Sequence, residues 1–286
     1  MNEGILIYCF NNREVDYARM SIISAYFAKE NLKKPVSLIT DQSTIDWMIT
    51  AKLYEKTERI FDKIILVERP KHVNNRILHN GSNKYTAPFL NNNRYSAYEL
   101  SPYEKTLLID SDFLILNDAL NEYFKIQQPV LLGERIKDIY DRKRLGYLDR
   151  FISETGIKMR WATTVLFDKS DESRIFFNLV KTIYDNYDTF GSIFRFNTLQ
   201  YRNDISCSVA EHIMNVFIPT EKYYLPPVLT TLDKDVLYSY DHKKLTFLID
   251  ENLQQNYFLT AIEKQNIHIM NKKSLIDQTD KLLDTL

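Results

Sequence analysis

A chain of 286 residues, 44% of them hydrophobic, is long enough to bury a full core as one large domain. Its 37 basic and 38 acidic side chains leave a formal charge of -1, which excludes a protein drawn as a whole to nucleic acid or anionic membrane. Two cysteines far apart in apolar surroundings, Cys9 and Cys207, exclude a disulfide framework; no segment is long enough to span a bilayer and the run from Ile5 to Phe10 is too short for a signal core, so the expected setting is the cytoplasm.

Residues 4–10 have the composition of a buried strand, with Asn11, Asn12 and Arg13 as its exit loop. A helix is predicted over 15–31, where Ala18, Ile22, Ala25 and Tyr26 form an apolar stripe at helical spacing. A second strand over 36–39 ends in Thr40-Asp41, a short helix follows over 45–54, and a third strand covers 63–67. This alternation predicts an α/β fold with a parallel sheet. Ligands of such sheets bind beyond the carboxyl ends of the strands, so Phe10, Asn11, Asn12 and Asp41 are expected on one crevice. Residues 68–90 show little apolar periodicity and carry Arg69, Lys71, His72, Arg76, His79 and Lys84, which suits either a loop that covers a ligand or a solvated excursion. A short helix over 93–100 is stopped by Ser101-Pro102.

The apolar run from Thr106 to Ile109 then meets Asp110-Ser111-Asp112 and a second apolar run at once. In an extended segment residues i and i+2 point to the same side, which would bring Asp110 and Asp112 close enough to share one divalent cation. The alternative is a pair of aspartates that cap a turn and face solvent. Only six glycines occur, and neither Gly-x-Gly-x-x-Gly nor a Walker-type loop is present. Any bound phosphate must therefore be neutralised by a cation together with Lys or Arg side chains.

From Arg94 through Tyr95, the turn Leu100-Ser101-Pro102-Tyr103 and on to Asp110-Ser111-Asp112, the chain resembles the GT-A glycosyltransferases, especially family 8 and its relatives. In those enzymes a basic residue on a short helix precedes a Leu-(Ser/Thr)-x-Tyr turn and the Asp-x-Asp strand. The resemblance implies a Rossmann-like nucleotide-diphospho-sugar transferase fold, with a mostly parallel central sheet flanked by helices. It further implies a single domain over 1–286, divided into a nucleotide-binding half (1–125) and a sugar and acceptor half (126–286). Asp110 and Asp112 are then expected to hold Mn2+ or Mg2+ on the donor's diphosphate, and Arg76, Arg94 and Ser111 to contact the donor.

Further along, a strand is predicted over 130–132. The basic stretch 134–150, with Arg135, Lys137, Arg142, Lys143, Arg144 and Arg150 among Tyr140 and Tyr147, reads as a solvated helix face or as a contact for an acidic acceptor such as nucleic acid. Residues 161–167 resemble the family's sugar-side strand but lack its Asn-x-Gly, which leaves the donor sugar open. The helix over 171–187 is expected to bury Phe176, Phe177, Val180, Ile183, Tyr184 and Tyr187. Asn203 or Asp204 opens the next helix as its N-cap; by resemblance, the same residues stand beside the anomeric carbon of the sugar. After a strand over 245–249, Ile267-His268-Ile269-Met270-Asn271-Lys272-Lys273 puts a histidine in an apolar run just before two lysines. Such a histidine is commonly a satisfied core residue. By resemblance to the family's His-x-x-Gly-x-x-Lys it becomes the third metal ligand, with Lys272 and Lys273 toward the diphosphate, although Asn271 replaces the glycine and the lysines come early. An imidazole beside two carboxylates favours Mn2+ over Ca2+. Residues 275–283 end the chain with a small amphipathic helix.

The expected activity is metal-dependent transfer of a sugar from a nucleotide-diphosphate donor, a UDP-sugar in the first place, to a hydroxyl acceptor that is a glycan, lipid, protein or hydroxylated nucleobase. Its rivals are a sugar-phosphate nucleotidyltransferase, whose glycine-rich basic loop is not matched by Phe10-Asn11-Asn12-Arg13, and a non-catalytic nucleotide-sugar-binding protein of the same fold.

Overall fold

The computed structural model describes residues 2–70, 74–80, 83–140, 150–216, 222–241, 244–250 and 257–283. Its first third alternates strand and helix: β1 (Glu3–Cys9), α1 (Tyr17–Leu32), β2 (Val36–Thr40), α2 (Gln42–Thr50), α3 (Tyr54–Ile60) and β3 (Lys63–Leu66). There follow β4 (Asn74–Asn80), β5 (Asn83–Phe89), α4 (Ala97–Leu100), β6 (Lys105–Ile109), β7 (Phe113–Leu114), β8 (Val130–Gly133), β9 (Ile136–Asp138) and β10 (Trp161–Asp168). The remainder comprises α5 (Asp171–Asp185), α6 (Tyr187–Phe194), α7 (Asn203–Met214), β11 (Val228–Thr230), β12 (Val236–Asp241), β13 (Lys244–Asp250), β14 (Tyr257–Glu263), β15 (Ile267–His268) and α8 (Lys272–Leu283). No helix among the described residues is long and apolar enough to cross a membrane.

The central sheet has the order β3-β2-β1-β6-β10-β8. Its first four strands are mutually parallel, and β10 runs against both of its neighbours. Strands β2 and β6 are buried from end to end, as their mainly apolar sequences suit when both faces of a sheet are covered. Helix α1 packs on β1 and β2, while α5 and α7 pack on β8 and β10. Gly4 is needed for a close approach: a Cβ there would lie 2.4 Å from the Tyr103 ring, which is itself held by a 2.7 Å hydrogen bond between its hydroxyl and Ser37. Elsewhere the scarcity of glycine leaves its mark, because Lys33 after α1, Lys52 after α2 and Arg195 after α6 occupy left-handed backbone conformations at φ 54°, 57° and 55°.

Three parts differ from the sequence expectation. The helix predicted over 45–54 is two helices, α2 and α3. Residues 74–80 and 83–89 are no loop but two antiparallel strands, β4 and β5, paired from Asn74↔Phe89 to Asn80↔Asn83. Their inner residues Leu78, Ala87 and Phe89 are buried, and Asn12 ties down their base by donating from Nδ2 to the Pro88 carbonyl at 2.9 Å. Finally, β13 is the middle of an antiparallel sheet β12-β13-β14 rather than a lone strand. The basic residues Arg142, Lys143 and Arg144, with Tyr147, and the earlier Lys71 and His72 lie outside the described residues; Lys137 falls in β9, an edge strand of a small sheet β7-β15-β11-β9.

Candidate metal and donor site

Strand β6 delivers Asp110 to the carboxyl edge of the central sheet, and the chain turns there: the Phe113 N–H donates back to the Asp110 carbonyl at 3.1 Å. Asp110 and Asp112 thus meet through a turn and not through the side-to-side alternation of an extended strand, which corrects the geometric reason given above. After the turn, β7 pairs antiparallel with β15, with His268 opposite Phe113. The imidazole Nε2 of His268 lies 3.2 Å from Asp112 Oδ1 and 3.8 Å from Asp110 Oδ2. One ligand atom from each of these three residues lies within 4.8 Å of the other two.

Two cations sit on the carboxylates. Arg94 pairs through Nη2 with Asp110 and donates from Nη1 to the Ala162 carbonyl at 2.8 Å; Lys272 pairs with Asp112. Burial pushes the Arg94 guanidinium down to about 10, which leaves it charged at neutral pH. Burial, with the Arg76 and Arg94 charges nearby, lowers the Lys272 ammonium to about 7, and its Nζ pairs with Asp112. The His268 imidazole is pushed down to about 4, chiefly by burial, with Asp204 drawing it up and Arg94 pushing it further down. It is therefore neutral at physiological pH, the form that binds a metal. Its other nitrogen, Nδ1, stands 3.5 Å from Thr163 Oγ1. Two carboxylates, a neutral imidazole and their mutual spacing fit a small divalent cation of the Mn2+ or Mg2+ kind.

These groups line a cleft of about 360 Å³ that also takes in Ser111, Arg76, Asn203 and Asp204. Arg76 enters from β4, its guanidinium carbon 3.4 Å from the centroid of the Phe89 ring. Asn203 and Asp204 begin α7, but neither is its N-cap, a position held by Arg202. Asp204 instead reaches β10, accepting from the Ala162 N–H at 2.8 Å, and pairs with Arg202 at 3.2 Å; Asn203 donates to the Asn91 carbonyl at 2.9 Å. Because β10 runs opposite to β6, its first residues, not its last, face the cleft.

The remaining expected donor contacts lie elsewhere. Asn11, Asn12 and Lys273 line a second cleft together with Trp47, Arg69 and Tyr85, so the single crevice expected from the topology is two. The β4–β5 pair and the first turn of α8 contribute to both. Phe10 points into the core. Asp41 caps α2 by accepting from the Thr44 N–H at 2.9 Å and pairs with Arg69 at 2.7 Å. Burial alone would raise its carboxyl, but the hydrogen bonds from Thr44 and the Arg69 charge outweigh this and hold it below the usual range. Arg69 also donates to the Asn11 carbonyl at 2.8 Å, which fastens the exits of β1 and β2 together.

Trp161 and Thr163 reach the cleft from the strand expected on the sugar side, while Asn91, Arg202 and Asp233 line it without a role expected from sequence. The Asn91-Asn92-Asn93 run beside Arg94 was a visible signal. Asp233 offered none, since it precedes a strand in a part of the chain without recognisable motifs.

Neither a protein-family model nor a curated protein matches this chain. Among solved structures it is similar to the galactosyltransferase LgtC in complex with donor and acceptor sugar analogues, at 13% identity and a TM-score of 0.43 over 73% of this chain and 70% of that one. Mouse xyloside xylosyltransferase 1 is 8% identical, with a TM-score of 0.42 over 74% of this chain and 83% of that one. The glycosyltransferase GlyE of Streptococcus pneumoniae TIGR4 is 15% identical, with a TM-score of 0.36 over 75% of this chain and 44% of that one, so the present chain spans less than half its length. All three are named as glycosyltransferases or sugar-specific transferases. At these identities and scores, function has to be argued from the residues of the cleft.

Proposed function

We propose that this chain is a metal-dependent glycosyltransferase of the GT-A type, which moves a sugar from a nucleoside-diphosphate donor, a UDP-sugar in the first place, to a hydroxyl acceptor. The observation that carries the reading is the convergence of Asp110, Asp112 and His268 at the carboxyl edge of the sheet, flanked by Arg94 and Lys272. Charge supports a diphosphate ligand. Among the described lining residues, four cations (Arg76, Arg94, Arg202 and Lys272) face four carboxylates (Asp110, Asp112, Asp204 and Asp233). A divalent cation added to that balance leaves two positive charges in excess, which a diphosphate diester neutralises. Hydrogen bonding supports a sugar beside it. Oδ1 of Asn91, Oδ1 of Asn203 and Nε1 of Trp161 are buried in the wall without protein partners. This mixture of acceptors and a donor suits hydroxyls, which both give and accept, better than an anion that only accepts.

When bound, the divalent cation supplies Lewis-acid stabilisation of the departing diphosphate. Arg94 and the half-buried Arg76 add fixed positive charge where the leaving group gains negative charge, and the burial of Arg94 strengthens that effect. Asp204, anchored by the Ala162 N–H and Arg202, presents a carboxylate that can accept a hydrogen bond or a proton from a hydroxyl, and Asn203 positions the start of α7 against Asn91. On this proposal the nucleoside end of the donor lies in the second cleft, where Asn11, Asn12 and Lys273 offer polar groups. Cytoplasmic residence belongs to the same proposal and rests on the unpaired thiols of Cys9 and Cys207.

The test is UDP release from a panel of UDP-sugars, with Mn2+ and with EDTA. Metal-dependent release from at least one donor is expected. No release from any donor, combined with thermal stabilisation by UDP and Mn2+, would reduce the protein to a binder.

A further inference from the structure

The ion pair between Lys272 and Asp112 has a consequence for how the site is loaded. Asp112 is 4% exposed, and its two oxygens are already occupied: Oδ1 faces the neutral His268 ring at 3.2 Å, while Oδ2 holds the Lys272 ammonium. A carboxylate this deeply buried cannot be left without a counter-charge, so some cation must accompany it in every state of the protein. Arg94 plays this part for Asp110, but it is also fixed by the Ala162 carbonyl at 2.8 Å and sits in a planar fork that suits two partners at once. Lys272 is held differently. Among the described residues its ammonium otherwise reaches just the Ile269 carbonyl of its own segment, at a long 3.4 Å, and it is a point charge on a flexible four-carbon stem. Of the two resident cations, Lys272 is the one free to leave.

We propose that Lys272 is a resident counter-ion of the metal site, which a divalent cation displaces from Asp112 on binding and which then becomes available to an anionic ligand in the same cleft. This rests on reading Asp110, Asp112 and His268 as the metal site. It adds that metal uptake and diphosphate binding are coupled through one side chain. Metal binding releases the ammonium, and a diphosphate that takes up the ammonium lowers the competition for Asp112; by linkage, the two effects are equal in size. Lys273, the next residue, lines the other cleft and takes no part.

The test measures Mn2+ binding to the whole chain at neutral pH without any donor, by isothermal titration and by the electron paramagnetic resonance of free Mn2+. K272M and K272Q are compared with wild type and with K273M. Both Lys272 variants are expected to bind Mn2+ more tightly by about tenfold or more, with K273M within about twofold of wild type. Without metal the Lys272 variants should melt at a lower temperature, and Mn2+ should raise their melting temperature more than it raises that of wild type. The second variant guards against poor folding of the first. Unchanged or weaker Mn2+ binding in the Lys272 variants, with wild type binding normally, overturns the counter-ion role alone. Absence of Mn2+ binding in wild type and variants overturns the metal site together with it.

Discussion

His268 Nε2 stands 3.2 Å from Asp112 Oδ1 because of backbone register, not side-chain reach. The Ile269 N–H donates to the Asp112 carbonyl at 3.0 Å, and His268 lies opposite Phe113 in the β7–β15 ladder, so two segments far apart in sequence present their ligands from adjoining positions. A slip of one residue in that ladder would turn His268 away from the cleft.

The register is guarded by burial, since Ile267 and Ile269 are 0% exposed on either side of the histidine. Ile269→Ala is expected to destabilise the fold by about 2–5 kcal/mol and to weaken Mn2+ binding, whereas Asp110→Asn and Asp112→Asn should abolish metal-dependent UDP release in a protein that still folds, with a lowered melting temperature because each leaves a buried cation, Arg94 or Lys272, unpaired. Denaturant unfolding and UDP-release assays on the three variants check this. Full activity in either asparagine variant would remove the site.

Asp204 accepts from the Ala162 N–H, a bond that asparagine can also accept through its side-chain oxygen. Asp204→Asn should therefore fold like wild type, keep a similar KM for the donor and lose roughly a hundredfold in kcat. A change in KM with kcat unaltered would reassign Asp204 to donor binding.

The thiols are sealed in. Burial pushes Cys9 up to about 12 and raises Cys207 well above the ordinary thiol range. At pH 8 the native protein should react with iodoacetamide roughly a thousandfold more slowly than a free thiol, and labelling should appear only on unfolding. The unfolded chain loses its thiol protons first, so stability falls as pH rises beyond about 8.5. Mass-spectrometric labelling across this range provides the measurement, and fast native labelling would contradict the burial.

Lys33 adopts φ 54° just after α1, its N–H donates to the Lys29 carbonyl at 3.0 Å, a bond glycine can also make, and its side chain forms an exposed pair with Glu30 at 3.1 Å. Glycine tolerates that conformation without steric cost. Lys33→Gly should consequently stabilise the protein by about 1 kcal/mol, seen as a rise of a few degrees in the melting temperature. A fall would mean that the lysine stem packs more strongly than its exposure suggests.

How much of this was legible in the sequence follows from which interactions are local. The strands β1, β2 and β6 could be read because short, mainly apolar runs admit few other structures, and Asp110 and Asp112 stood out at the end of one of them. His268 and Arg94 were found through motif spacing. Their partners were not legible: that Arg94 would meet both Asp110 and Ala162, or that Asp204 would reach back to β10, depends on packing between distant segments. The pairing of β4 and β5 was missed because its alternation is carried by Arg76, Leu78, Ala87 and Phe89 among polar residues, a pattern too weak to separate from a loop. The division of the expected donor contacts between two clefts was equally hidden, since neighbouring lysines, Lys272 and Lys273, open onto different ones.

The reversed course of β10 has an evolutionary corollary. Trp161, Ala162 and Thr163 reach the rim of the cleft at the beginning of their strand, so the polypeptide that leads into them can be lengthened, shortened or rewritten while the anchored end at Asp168 and the first three strands keep their places. On the proposed function, selectivity for the transferred group can in this way drift independently of the residues proposed to hold the metal.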